Sequence, residues 1–190
     1  DYSDILELRS LTNIDLHILI LPKANSFIYS NKDFKKISED IQFCKKNKIN
    51  GVVIGALNKD LSINMKQTKE LVEIARPMRV TFHRAFDTMF KLENDLNKII
   101  ECGCDYLLTS GQKPNVDDGL NNIRKLVKQS NKKIRIIAGG GLNHNNIESL
   151  HNIGVREFHL SGSLKNKSKL LETDYNLINL VVKKLKEIQN

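Results

Sequence analysis

Six short runs rich in β-branched residues recur along the chain, at 16–21 (LHILIL), 51–55 (GVVIG), 79–83 (RVTFH), 105–109 (DYLLT), 134–138 (IRIIA) and 156–160 (REFHL). Their starts lie 35, 28, 26, 29 and 22 residues apart, which is room for a strand, a helix and two loops. A parallel strand must be reached by a long crossover, normally a helix, so this spacing predicts repeated βα units. The intervening segments carry the helical period. Phe34, Ile37, Ile41 and Cys44 fall on one face, as do Leu92, Leu96, Ile99 and Ile100, and Leu120, Ile123, Leu126 and Val127. Asn143, ahead of Ile147 and Leu150, reads as the N-cap of a short helix. Leu177, Leu180, Val181, Val182 and Leu185 predict a last helix over 174–188, and Tyr2–Leu11 reads as a further one.

Six βα units make either an open doubly wound sheet or a barrel. A doubly wound dinucleotide fold carries G-x-G-x-x-G after its first strand, where this chain has Leu21-Pro22-Lys23. The glycine run, Gly139-Gly140-Gly141, follows the fifth strand instead, and Ser161-Gly162-Ser163 follows the sixth. Such loops after adjacent final strands match the phosphate corner of an eight-stranded barrel, built after its strands 7 and 8. The fold class expected is therefore α/β, a parallel (β/α)8 TIM-type barrel with about six of its eight strands in this chain, numbers 3 to 8. No linker or shift in composition divides residues 1–190, so a single barrel domain is expected.

Charge and cysteines narrow the partners. A net charge of +8 raises the question of nucleic acid, but the lysines are scattered and no Trp is present for base stacking. No apolar run approaches the length of a membrane span. Neither nucleic acid nor membrane is an expected partner. Cys44, Cys102 and Cys104 are an odd number, which favours free thiols in a reducing compartment. Together with a polar start that shows no targeting signal, this points to the cytoplasm. Cys102-Gly103-Cys104 could offer soft ligands, but it falls between a helix end and a strand start, where Gly103 suits the C′ position of the helix.

The candidate site follows from strand alternation. Val80 and Phe82 share one side of their strand while Thr81 and His83 share the other. Phe158 and Leu160 likewise oppose Glu157, His159 and Ser161. The apolar sides belong under helices, so the polar sides are expected to face the barrel interior. His83 and His159 then read either as hydrogen-bonded interior histidines or as acid, base or metal ligand. Arg84 and Asp87 lie just beyond the strand, either paired to each other or contacting a ligand. The Gly139–Gly141 backbone, with Ser161, Gly162 and Ser163 as a second wall, is expected to hold a small anion or anionic metabolite. Thr109, Ser110 and Gln112 add hydroxyl and amide groups. No metal motif is recognisable, so metal ligands are left unassigned.

These residues carry a resemblance. TFHRAFD at 81–87, LTSGQ at 108–112, GGGLN at 139–143 and REFHLS at 156–161 are similar to signature segments of the CutC family, in its order and spacing, as are GVVIG at 51–55 and FIYS at 27–30. The resemblance implies a (β/α) barrel lacking the family's N-terminal strand, helix and strand. It also implies a cytoplasmic role in copper homeostasis, with copper as the cofactor it suggests. The cysteines proposed as copper ligands in that family belong to the N-terminal part without a counterpart here. The loop 21–26 reads LPKANS where the family tends to read Arg-Pro-Arg-Gly-Gly-Asp, a loss of two arginines and an acid. Two functions stay open, copper binding and an enzyme acting on a small phosphorylated or anionic metabolite at the C-terminal face. A barrel with open edge strands is also expected to form homo-oligomers.

Overall fold

A computed structural model of the chain describes residues 1–24, 26–165 and 171–189. Six strands form one sheet: β1 His17–Leu19, β2 Gly51–Ile54, β3 Arg79–Phe82, β4 Tyr106–Thr109, β5 Arg135–Gly139 and β6 Glu157–His159. Their order in the sheet is β1-β2-β3-β4-β5-β6. The pairings of β1 with β2, β2 with β3, β3 with β4 and β5 with β6 are all parallel. An order that rises by one at every step has no switch point, which rules out the doubly wound alternative and is the order of a (β/α) barrel. Each successive pair is separated by a helix: α2 Asn31–Lys46, α3 Met65–Ala75, α4 Leu92–Glu101, α5 Leu120–Ser130 and α6 Ile147–Asn152. Helix α1, Tyr2–Leu11, precedes β1, and α7, Tyr175–Gln189, ends the described chain.

The residues fold into two compact units, Asp1–Leu107 and Leu108–Asn190. In the first, the residues of the parallel strands that lie under the helices are apolar. Val52, Val80, Phe82 and Leu107 are fully buried there, with Ile37 and Ile41 of α2 and Leu71 and Val72 of α3. Helix α2 starts where Ser30 and Asp33 form a capping box, the Asp33 carboxylate accepting from the Ser30 N–H at 2.8 Å. Helix α3 starts at Asn64, whose side chain accepts from the Gln67 N–H at 3.0 Å. The strand starts are tied by Asp105. Its carboxylate accepts from the Val80 N–H and from Arg76, each at 2.8 Å, and from Arg79 at 3.3 Å.

The second unit is built around Ile123 and Leu126 of α5, Ala138 of β5, and Ile147 and Leu150 of α6, all at or near zero exposure. Two features depart from the sequence expectation. Helix α6 begins at Ile147 with Asn146 at its cap, and Asn146 makes no side-chain capping bond. Its Oδ1 instead accepts from the Asn143 N–H at 2.9 Å, so Asn143 belongs to the preceding turn and does not cap the helix. Beyond β6 the chain forms an antiparallel ribbon, β7 Ser163–Lys165 with β8 Leu171–Thr173. A three-residue strand is too short for alternation to announce it.

Candidate functional site

In the first unit the site is the C-terminal end of β3. Thr81 on β3 and His83 just beyond its end are both buried, at 2% and 5% exposure. The chain then turns through a 3₁₀ helix over Arg84–Thr88. The Ala85 N–H donates to His83 Nδ1 at 3.2 Å, which caps that turn and leaves the proton of the neutral ring on Nε2. Among the described residues the Nε2–H has no hydrogen-bond partner, and neither does the Thr81 hydroxyl. Donors buried this way cost on the order of 1–3 kcal/mol each, and a bound acceptor removes the cost. Burial holds the His83 imidazole down to about 4, well below its usual range, so at neutral pH it is an uncharged donor.

The ring is clamped from two sides. Phe27 lies tilted against it with centroids 4.8 Å apart. Gly55, at the end of β2, supplies the other side, where a Cβ would come within 2.6 Å of the imidazole. The glycine is required by this close approach. Arg84 and Asp87 form an ion pair at 2.7 Å, which locks the turn following His83.

In the second unit, β5 ends at Gly139 and the chain turns through Gly140 and Gly141 at φ 109° and 76°. The Gly140 carbonyl accepts from the Val116 N–H at 2.9 Å, and the Gly141 carbonyl accepts from the Asn143 and Asn146 side chains at 3.1 and 3.0 Å. With those carbonyls held, the N–H groups are what this turn can offer a ligand. His159 packs against Gly139, where a Cβ would lie 3.0 Å from the histidine Cβ. Glu157 pairs with Arg135 at 3.2 Å. Thr109 Oγ1 accepts from the Gly111 N–H at 2.8 Å, Ser110 Oγ donates to the Lys113 carbonyl, and Gln112 has a left-handed backbone at φ 56°. Ser161 and Gly162 lead into the ribbon at Ser163, and the Gly162 carbonyl accepts from the Asp174 N–H at 2.8 Å.

The sequence reading missed Phe27 and Gly55 around His83, and the Asp105 network below it. Phe27 and Gly55 lie within the segments 27–30 and 51–55 already noticed as family-like. Asp105 carried no such signal.

Similarity to known proteins can now be set beside this geometry. A model of the CutC family matches residues 2–164. The chain belongs to the CutC family. A CutC family protein of Parabacteroides distasonis is 38% identical over 162 residues, 84% of this chain and 67% of its own length. The chain thus spans about two thirds of this curated CutC relative. Among solved structures, a protein described as copper homeostasis protein CutC from Streptococcus agalactiae superposes with a TM-score of 0.79 at 23% identity, covering 84% of this chain and 80% of that one. An aldolase called QR15 superposes at 0.67 with 13% identity, covering 83% and 73%. These structural likenesses show the barrel fold.

No group of three His, Cys, Asp or Glu among the described residues could hold a metal ion. The three cysteines are buried free thiols. Burial pushes Cys44 and Cys102 up to about 11 and Cys104 higher still, which disfavours the thiolate form of all three. Gly103 has φ 83° just after α4, which agrees with a helix C-terminus for this segment.

Proposed function

We propose that this chain serves copper homeostasis in the cytoplasm without itself holding copper tightly. The observation that carries the reading is the CutC family match over residues 2–164, which runs from α1 through β6. The lack of a three-donor cluster among the described residues supports the second half. The test is anaerobic competition for Cu(I) against a chromogenic chelator, comparing this chain with the longer Parabacteroides distasonis relative. The expected outcome is that the relative withdraws copper from the chelator and this chain does not. Tight binding by this chain, abolished by replacing Cys102 and Cys104 with Ser, would overturn the proposal.

A second reading, an enzyme acting on a small anionic metabolite, rests on one observation. The Gly140 and Gly141 carbonyls are held by Val116, Asn143 and Asn146, which leaves the amides of this turn to meet an anion. Inorganic phosphate should shift the Gly140 and Gly141 amide resonances in a saturable way. Unmoved glycine amides would reduce the run to a turn.

A further inference from the structure

The second unit holds a cavity of about 620 Å³ at the N-terminal ends of β5 and β6, the opposite end of these strands from the Gly139–Gly141 turn. Val127, Ile134 and Ile136 give it an apolar floor, and its rim carries Lys132, Arg135 and Arg156 with Glu157. Arg135 is neutralised by Glu157 at 3.2 Å. Lys132 and Arg156 have no carboxylate in ion-pair range among the described residues, so two positive charges face the cavity uncompensated.

Arg156 is already oriented. Its Nη1 donates to the carbonyls of His151 and Val155, each at 2.8 Å, which pins the guanidinium to the turn between α6 and β6. Nε and Nη2 remain, the edge that grips an oxyanion through two parallel hydrogen bonds. Lys132 is presented by an unusual backbone, since Asn131 and Lys132 are both left-handed at φ 43° and 62°. That conformation costs a residue with a side chain roughly 1–2 kcal/mol. Gly154, at φ 99°, lines the same cavity, and a Cβ there would sit 3.0 Å from Val127 Cγ1.

We propose that this cavity binds a small organic phosphate, its headgroup on Arg156 and Lys132 and its apolar body on the Val127–Ile136 floor. Two unpaired cations match the charge of a phosphate monoester at neutral pH, about −1.5 to −2. The volume lies in the range of small-ligand pockets. The lower end of a barrel ordinarily serves stability, so this site is separate from anything held at the C-terminal strand ends.

The experiment is a titration of the full chain followed by amide chemical shifts, with phenyl phosphate and inorganic phosphate as probes. Phenyl phosphate should saturate the Asn131, Lys132, Gly154 and Arg156 amides at about tenfold lower concentration than inorganic phosphate, because only the ester covers the floor. Lys132→Gln and Arg156→Gln should each weaken it about tenfold. Arg156→Gln also removes the brace on His151 and Val155, so Lys132→Gln is the deciding variant. Lys133→Gln, outside the cavity, should change affinity less than about twofold. Each of these results would overturn the proposal: shifts that never saturate, equal losses in the Lys132 and Lys133 variants, or shifts confined to Gly139–Gly141. Equal affinity for the two probes would sink it as well.

Discussion

At the scale of single residues, His83 is where burial and chemistry conflict. Its folded pKa of about 4 lies below the unfolded value near 6.5, so the unfolded chain takes up a proton that the folded chain refuses. Stability from this residue is whole above about pH 6.5 and is lost as pH falls toward 4, by about 3 kcal/mol in all. Urea unfolding at a series of pH values should show this loss, and His83→Gln should flatten the curve between pH 6.5 and 4. Parallel curves for the two proteins would mean that protons reach the ring in the folded state. That His83 stands at the C-terminal end of β3 was legible from the strand run 79–83. That it lies against Phe27 and Gly55 was not, because those contacts join segments far apart in the chain.

At the scale of elements, the strand starts in the first unit depend on one carboxylate. Burial alone would raise the Asp105 pKa, but hydrogen bonds from the Val80 N–H, Arg76 and Arg79 outweigh it and hold the carboxyl below its usual range. The β3–β4 pair therefore keeps this support at neutral pH and loses it as acid protonates Asp105. Asp105→Ala leaves two arginines and a backbone N–H without their acceptor. It should cost roughly 2–3 kcal/mol in denaturant unfolding at pH 7. A loss below about 0.5 kcal/mol would place the network among surface ion pairs of little worth. The sequence did not announce Asp105, since an acid before a strand is common and its partners come from β3. Helix α3 was also hard to read. Two of its four buried positions are Thr68 and Ala75, which barely register in an apolar period.

For the whole molecule, the consequence concerns the ends of the sheet. The strand order ends in β1 and β6. On β1, Leu19 is 56% exposed, and a cavity of about 490 Å³ lies between α1 and β1. An edge strand with an exposed apolar residue is a template for pairing with another chain. The chain should self-associate in light scattering at micromolar concentration, and Leu19→Lys should shift it toward monomer. A monomeric wild-type chain with a cooperative melt would show that the β1 edge is protected. No helix among the described residues is long and apolar enough to cross a membrane.

The amino-acid sequence by itself determined the alternation of strand and helix and the parallel order. Each follows from short-range periodicity, 2 in a strand and 3.6 in a helix, and from the rule that a parallel strand needs a crossover. Tertiary structure alone decided the partners. Glu157 was paired with Arg135, and among the described residues His83 Nε2 was left without an acceptor and two cations at the lower end of β5 and β6 without an ion pair. Such pairings depend on strand register and on which loops meet, and no local pattern in the chain encodes them.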